Sequence, residues 1–490
     1  MDDLLVARLK AQNSQISRFH SLSGSPALSL GVFHQGKVIH TAHFGRKDVS
    51  KSSPPNDDSV YYVASMLKIL TVSTVAKLVH DGILGWDVPV REYLPGFNRE
   101  DDIGRLTTLR DLIANRTGLA VAAFFWTQQN GELLLGKNEM VHMACHLKAV
   151  KPFRASFLYS QWNYILVQII IETVTGKPFG TLIQETMITP LGLKNTTFSI
   201  PHGENVVAPH AVRDNGTAAK IEINPWTDES GITAGAGGKA SLNDLLTIYI
   251  ELLSAHSHQS SHNVNTTPGS PFTHMRTIFE PQIKARSSGV EVYHHTMSIP
   301  GFLGSMFLVP RSNSGVIVLT NATPKLDATD LSAQCLLGVL LGEPRPNLVR
   351  MAEMGQKMSL AIYRQIASSL EQSRTLKPPS LPLQMYAGVY TNSAGNFFLK
   401  VDTTQRGLHI TVQNKARVAY DLFPYDGNVF YWPVSREREL CEKAMWPHLL
   451  PAFHIITFGV NEGGVDCLRW HHDPLDGPEV FAKDTRRSRL

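Results

Sequence analysis

The stretch that decides the fold reads Asp58-Ser59-Val60-Tyr61-Tyr62-Val63-Ala64-Ser65-Met66-Leu67-Lys68-Ile69-Leu70 and contains the single Ser-x-x-Lys of the chain. The apolar pattern from Ser65 continues to Asp81 and is followed by Gly82, which favours a helix with a glycine C-cap. Because this helix is apolar on nearly every side, we expect it to be buried. Lys68 is the only charged residue in its first three turns, so this lysine needs a chemical explanation.

The spacing of Ser65 and Lys68 offers that explanation. Residues three apart share a face of a helix, so the lysine can lie beside the serine hydroxyl. The positive end of the helix dipole favours negative charge developing on that hydroxyl. Ser65 is therefore a candidate nucleophile. The structural alternative, a serine N-cap followed by a surface lysine, fits poorly with an apolar helix.

Two further segments carry reactive side chains. Tyr159 precedes a second apolar helical pattern that runs from Gln161 to Thr175 and is closed by Gly176. A free phenol has a pKa of about 10, so Tyr159 can act as a base only if a neighbouring cation such as Lys68 lowers its pKa. We expect Tyr159 to take the proton of Ser65 on that condition.

The third segment is His295-Thr296-Met297-Ser298, which enters a predicted strand. A backbone N–H presented there, assigned to Ser298, can form an oxyanion hole together with the backbone N–H of Ser65. Taken singly, a tyrosine or a histidine at such a position is more often structural. The case for a site rests on the three segments together.

The rest of the chain divides into recognisable parts. Turn residues join apolar runs into two predicted hairpins, residues 27–44 and 302–319, and residues 255–271 are predicted to be a loop because they are rich in Ser, His, Asn, Thr and Pro. Metal binding by His256, His258 and His262 of this loop is a weaker alternative, since no acidic or cysteine partner accompanies them. Short strands separated by turn residues predict a small all-β domain at the end of the chain.

In order and spacing, these segments resemble class C β-lactamases and the related penicillin-binding proteins, esterases and fungal polyketide transesterases. The resemblance covers roughly residues 24–340. The text flanking the motifs also matches, at Asp81-Gly82-Ile83-Leu84, Tyr93-Leu94-Pro95-Gly96-Phe97, Leu109-Arg110-Asp111-Leu112-Ile113, Thr117-Gly118-Leu119, Pro190-Leu191-Gly192-Leu193 and Gly235-Ala236-Gly237-Gly238. Residues 379–486, opening with Tyr386-Ala387-Gly388-Val389-Tyr390-Thr391, resemble the lipocalin-like β-barrel appended to some members.

The resemblance implies an α+β fold: a β-lactamase/transpeptidase-like domain, with an antiparallel sheet, helices and an all-helical subdomain, followed by a small lipocalin-like β-barrel. We place the catalytic domain at residues 1–345, a helical linker at 346–378 and the barrel at 379–490. It also implies that Ser65 is the acylated nucleophile and Lys68 its charged partner. Tyr159 would be the general base and then acid, and His295 the third-motif residue.

The chain departs from the family pattern at two positions. Gln161 stands where the second motif ends in Asn, and Met297 stands where the third motif ends in Gly. Met297 would occupy space that the family leaves for substrate, which argues against β-lactam hydrolysis. The predicted substrate contacts are Gln161, Trp162, Trp226 and Met297, with Trp126 and Phe302 as further wall residues because they adjoin the motifs.

Composition and charge indicate which binding partners the chain is expected to have. The chain has 490 residues and a formal net charge of +4 without a basic stripe, so nucleic acid is not an expected partner. The four cysteines are far apart and lack CxxC spacing, which favours reduced core thiols over a disulfide framework, and we expect no metal and no cofactor. The first residues of the sequence contain no apolar run, so no secretory signal is expected. No later apolar run is long enough to predict insertion into a membrane. Ser488-Arg489-Leu490 resembles a peroxisomal address read by an import receptor, with a cytoplasmic location as the alternative.

The favoured function is an esterase, thioesterase or transesterase that forms an acyl-enzyme at Ser65. Its substrate would be an acylated small molecule, such as a coenzyme A thioester or a polyketide, in fungal secondary metabolism. One alternative is a non-catalytic binding protein on the same scaffold, suggested by Gln161 and Met297. Another is an enzyme in which Tyr159 and Lys68 transfer protons without an acyl-enzyme.

Overall fold

A computed structural model describes residues 3–282, 289–343, 348–375, 377–405 and 407–484. The predicted address Ser488-Arg489-Leu490 lies outside the described residues. Within them, no helix is long and apolar enough to cross a membrane. No disulfide joins the four cysteines, of which Cys335 and Cys467 are buried, whereas Cys145 and Cys441 are only partly buried and are therefore not core residues.

A five-stranded antiparallel sheet forms the centre of the first domain, in the order β2-β1-β9-β8-β7. Its strands are β1 Ala27–His34, β2 Lys37–Gly45, β7 Tyr293–Ile299, β8 Phe302–Val309 and β9 Ser314–Thr320. The β1–β2 and β8–β9 pairs confirm both predicted hairpins. Strand β1 pairs with β9, so the two ends of the domain meet in the middle of the sheet. Strand β7 is left at the edge.

Shorter strands support this sheet in two small groups. They are β3 Val60–Tyr62 with β6 Lys239–Ser241, and β4 His210–Val212 with β5 Ala218–Lys220 and β10 Ala322–Thr323. The pairing of β3 with β6 brings the chain before Ser65 beside the glycines at 235–238.

Helices cover the sheet and form a separate helical region. They are α1 Asp3–Ala11, α2 Asn13–Ser23, α3 Lys68–His80, α4 Asp102–Leu106, α5 Leu109–Ile113, α6 Met140–His146, α7 Gln161–Thr175, α8 Phe179–Ile183, α9 Thr233–Ala236, α10 Leu242–His262, α11 Met275–Phe279, α12 Ala328–Leu341 and α13 Leu348–Gln372. The predicted helix from Gln161 is confirmed to the residue, and Gly176 caps it at φ 66° in the left-handed region. Helix α3 follows a 3₁₀ turn at Ala64–Leu67, and both segments are buried as predicted.

The loop predicted at residues 255–271 is wrong for its first half. Helix α10 continues to His262 and ends at Asn263, which has φ 55°. Ala255 and Gln259 lie buried on its inner face, and the Gln259 amide donates to Phe272 O at 2.8 Å. Packing and this buried hydrogen bond therefore override the weak helix propensity of Ser and His at the other positions. Among the described residues, no cluster of His, Cys, Asp or Glu is placed to hold a metal ion.

The second domain is a closed eight-stranded barrel that follows the 25-residue helix α13. Its strands are β11 Gly388–Thr391, β12 Phe398–Thr403, β13 Leu408–Val412, β14 Ala419–Asp426, β15 Val429–Tyr431, β16 Ile455–Asn461, β17 Gly464–Trp470 and β18 Glu479–Lys483. Strand β11 pairs with β18 and removes the free edges. Buried aromatic rings, among them Trp432 and Trp470, fill its core.

The barrel packs directly on the segment that leads to the predicted site. Tyr420 Oη donates to Gln128 Oε1 at 2.6 Å, and Ala122 N donates to Asp473 Oδ2 at 2.7 Å. The Phe124 ring packs edge-on against Trp470, with centroids 4.2 Å apart. Residues 122–128 are therefore held by the barrel as well as by their own domain.

Candidate active site

A tight turn presents Ser65. The N–H groups of Val63 and Ala64 both donate to Gly238 O at 3.0 Å, which ties the turn to the chain before β6. Ala64 has φ 38°, a left-handed conformation that is unfavourable for a residue with a Cβ. Such strain persists only where the surroundings impose it, and it is concentrated at functional sites. A Cβ at Gly238 would lie 2.7 Å from the Leu67 side chain, so this close approach requires glycine.

Ser65 lies between the two predicted partners. Its Oγ is 3.0 Å from Lys68 Nζ and accepts a hydrogen bond from Tyr159 Oη at 2.9 Å. These are hydrogen-bond distances without a bound substrate. The structure thus brings together three residues that the sequence separates by up to 94 positions.

Lys68 is buried and has no carboxylate partner among the described residues. Its Nζ contacts Gln161 Oε1 at 3.0 Å and Gly235 O at short range. Burial lowers the pKa of Lys68 well below its ordinary value. Lys68 Nζ lies within hydrogen-bond distance of Ser65, Gln161 and Gly235 at the same time. The environment therefore favours Lys68 as a base.

The prediction that Lys68 lowers the pKa of Tyr159 is wrong. Burial raises the pKa of Tyr159 to about 12, although hydrogen bonds with Ser65 and Gln161 oppose the shift. The cause is the desolvation of Tyr159 itself, which disfavours the charged phenolate. Tyr159 is therefore a neutral phenol that donates to Ser65, and Lys68 is the group whose pKa is shifted towards basic function.

Two asparagines fix the start of α7 and with it Tyr159. Asn115 Oδ1 accepts from Ser160 N at 3.1 Å and from Asn163 Nδ2 at 2.9 Å. Tyr164, one turn into the helix, places its ring 4.7 Å from Lys68 Nζ. Sequence reasoning missed both Asn115 and Tyr164. The sequence offered a signal for Tyr164 alone, namely its position five residues after Tyr159 on the predicted helix. It offered none for Asn115.

His295 lies on the edge strand β7, next to Tyr159. Its ring centroid is 6.0 Å from that of Tyr159. Burial, helped by Lys68, lowers the pKa of His295 to about 4, against a hydrogen bond with the Ser65 backbone. The imidazole is therefore neutral at physiological pH. Ser298 lines the same cavity as Ser65, and its part in an oxyanion hole stays a prediction.

The site opens into a cavity of about 570 Å³. Of the predicted contacts, Gln161, Trp126 and Trp226 line this first cavity, and Trp126 and Trp226 meet edge to face with centroids 6.1 Å apart. Three wall residues, Met445, Trp446 and His448, come from the loop between β15 and β16 of the barrel. Their sequence carries no motif, so only the packing of the two domains identifies them.

A buried lysine holds one wall of the first cavity. Lys239 Nζ donates to Pro225 O at 2.6 Å and to Trp226 O at 2.8 Å, and the Trp226 indole N–H donates to Gly131 O at 3.0 Å. Trp226 itself has φ 21°. Burial lowers the pKa of Lys239 to about 7, which the nearby Asp228 opposes. The wall therefore depends on a buried lysine that sequence reasoning did not single out.

The structure places three predicted wall residues elsewhere. Trp162 is fully buried in the core, because it lies about 100° around α7 from Gln161. Met297 is 1% exposed and packs below the sheet, because Gly304, its partner on β8, leaves room for it. Phe302 stacks on Tyr62 with centroids 5.2 Å apart. These three side chains do not line the cavity, and Met297 does not obstruct it.

Comparison with known proteins gives two family models and a fungal relative that match the chain. The β-lactamase family model matches residues 16–336, and a domain of unknown function, DUF3471, matches residues 373–485. Unguisins hydrolase ungD of Aspergillus violaceofuscus is 23% identical over 435 residues, which cover 79% of this chain and 75% of that protein.

Two solved structures share the fold. The octameric penicillin-binding protein homologue from Pyrococcus abyssi superposes with a TM-score of 0.58 at 18% identity, over 96% of this chain and 99% of that one. The class C β-lactamase from Rhodobacter sphaeroides superposes with a TM-score of 0.52 at 20% identity, over 68% of this chain and 99% of that one. The chain belongs to the β-lactamase family, with the serine hydrolase-like fold of that family and a β-barrel domain after it.

Proposed function

We propose that the protein is an esterase, thioesterase or transesterase that acts through an acyl-enzyme at Ser65. The observation that carries the proposal is the position of Ser65 Oγ, 3.0 Å from Lys68 Nζ and 2.9 Å from Tyr159 Oη. Ser65 also lines a cavity of about 570 Å³, which is large enough for a small-molecule substrate.

The arrangement supports the following acylation step. Lys68, neutral through burial, takes the proton of Ser65 as Oγ bonds to the carbonyl carbon of the substrate. The backbone N–H groups of Ser65 and Ser298 are proposed to stabilise the oxyanion. Tyr159 gives its proton to the leaving oxygen or sulfur as that bond breaks, and the proton held by Lys68 restores the phenol. Water or an alcohol then releases the acyl group by the reverse sequence.

The substrate is proposed to be an acylated small molecule of fungal secondary metabolism. Support comes from the relative in Aspergillus violaceofuscus, whose name describes it as a hydrolase. Hydrolysis and transfer differ only in whether water or an alcohol accepts the acyl group.

Intact-protein mass spectrometry after exposure to a panel of acyl thioesters and aryl esters tests the proposal. Wild type should gain one acyl mass and Ser65→Ala none, with kcat/KM reduced at least roughly a thousandfold. Ser298→Ala is the matched control, because it keeps the backbone N–H and should still be acylated. Turnover that survives Ser65→Ala would instead support proton transfer by Tyr159 and Lys68. Absence of both adduct and turnover would support a binding protein.

A further inference from the structure

A second cavity lies on the other side of the nucleophile. It has a volume of about 370 Å³ and shares Ser65, Tyr159 and His295 with the first cavity. Lys68 lines the second cavity and is absent from the walls of the first. Ser65 therefore stands at the junction of two separate spaces, and a substrate cleaved there can place one group in each.

The walls of the second cavity are largely apolar, with aliphatic and aromatic side chains together. Side chains from α3, α10, α11 and β8 contribute Ile69, Val72, Leu252, Ile278, Met306 and Leu308. Such walls offer contact to hydrocarbon and no hydrogen bonds, so they bind a ligand by removing its apolar surface from water.

Two tyrosines that line the second cavity are already engaged with protein groups. Tyr249 Oη donates to Met66 O at 2.9 Å. Tyr293 Oη contacts Phe279 O at 3.2 Å and Glu291 Oε1 at 2.9 Å. A polar group that enters beside these two tyrosines would lose its water to face hydroxyls that are already engaged, which is unfavourable.

The second cavity continues away from Ser65. A third cavity of about 520 Å³ shares Val72, Ile113, Ile278 and Phe279 with it. The shared walls make an apolar path that begins at Lys68 and leads past α3 to α11. We call this path the aliphatic channel.

We propose that the aliphatic channel binds an unbranched hydrocarbon chain of the substrate, carried on its acyl or on its alcohol side. The proposal rests on the proposed function, since it assigns a substrate class to the same nucleophile. An extended chain fits because the path runs through two adjoining cavities with apolar shared walls and has Ser65 in its lining.

Two series of esters test which chain length the channel prefers and whether that chain belongs to the acyl or to the alcohol group. One varies the acyl group of 4-nitrophenyl esters from acetyl to dodecanoyl, and the other varies the alcohol of alkyl acetates over the same lengths. In one series, kcat/KM should rise roughly fourfold for each methylene that enters the channel. A flat response in both series would overturn the proposal, while Ser65-dependent turnover of the acetyl ester would leave the proposed function standing.

Substitutions in the channel wall test whether the preference for chain length arises there. Ile278→Trp narrows the shared wall and should lower the ratio of decanoyl to acetyl kcat/KM at least tenfold. Ile83→Trp, at an exposed site outside the cavities, is the matched control and should leave that ratio unchanged. Phe279→Ala should move the preferred length towards longer chains, an outcome that misfolding cannot produce. An unchanged length preference in both channel variants would contradict the proposal.

A binding measurement keeps the test independent of turnover. Calorimetry with decanoate and Ser65→Ala protein should show binding that Ser65→Ala/Ile278→Trp weakens at least tenfold. Loss of binding on Ile278→Trp would support the channel even if no ester acylates Ser65. Equal binding to the two proteins would reject it.

Discussion

Tyr159 Oη lies 2.9 Å from Ser65 Oγ, yet burial raises the pKa of Tyr159 to about 12. The phenol is therefore protonated at neutral pH and donates to the serine. Burial lowers the pKa of Lys68, 3.0 Å from the same oxygen, which favours the amine over the phenol as the base. The different roles of these two groups, Tyr159 as proton donor and Lys68 as base, follow from burial, which disfavours both phenolate and ammonium.

This division predicts the pH dependence of the reaction. Activity should fall as the pH drops through the lowered pKa of Lys68, because protonation removes the lone pair that faces Ser65. Lys68→Arg, which stays charged, should lose at least about a hundredfold in kcat/KM at every pH. Lys77→Arg, at a partly exposed position on the same helix, is the control. An active Lys68→Arg enzyme would show that a cation, and not a base, is needed.

Gly235 is predicted to be required by the position of Gln161. A Cβ at residue 235 would lie 2.4 Å from Gln161 Oε1, at the end of a side chain that can move. Gly235→Ala should therefore fold but displace the acceptor of Lys68, lowering kcat/KM about tenfold to a hundredfold. Gly96→Ala, where the nearest atom is 3.6 Å away, should have little effect. Adding Gln161→Ala to Gly235→Ala should cost little more if displacement is the cause, and full additivity would reject this explanation.

Trp446 tests the contribution of the barrel to the site. Its side chain is 43% exposed and lines the first cavity, although it belongs to the barrel domain. Trp446→Ala should raise KM about threefold to tenfold with little change in thermal stability, because an aromatic wall contact is lost without opening the core. Steady-state kinetics and a melting curve measure both effects. Leu449→Ala on the same loop, at a residue that does not line the cavity, should leave KM unchanged. Equal KM values for wild type and Trp446→Ala would mean that the barrel makes no substrate contact there.

Asp111 is predicted to stabilise the region that carries Asn115. Its carboxylate is fully buried and pairs with Arg116 at 2.6 Å and Arg154 at 2.7 Å. Removing it in Asp111→Ala should cost about 3–5 kcal/mol of unfolding free energy, since two cations lose their partner. Asp87→Ala, which breaks the exposed pair with Arg110, should cost at most about 1 kcal/mol. Comparable losses in urea unfolding would contradict the difference expected from burial.

The same carboxylate has a defined pH signature. Burial alone would raise the pKa of Asp111, but hydrogen bonds from Arg154, Thr108 and Arg116 lower it overall. Its stabilisation is therefore fully present above the unfolded pKa of about 3.9 and is lost as the pH falls through the lower folded value. The acid-induced loss of stability should be smaller in Asp111→Ala than in wild type.

Much of the architecture could be read from local sequence. The helix from Gln161 to Gly176 and both hairpins were predictable, because periodicity and turn residues act over a few neighbouring positions. The error at residues 255–262 arose where polar residues remain helical on the outer face of α10. The inner-face contacts that stabilise this stretch are made with residues beyond the local window.

The sequence by itself determined the identity of the reactive groups. Ser65 and Lys68 share a helical face at any burial, and the family motifs placed Tyr159 and His295 near them. Tertiary structure alone decided the rest: the raised pKa of Tyr159, the lowered pKa of Lys68 and the turn of Met297 into the space left by Gly304. It also decided the wall that Trp446 contributes to the first cavity. The physical reason is that proton affinity and cavity shape depend on desolvation and on contacts between distant segments, which local sequence does not encode.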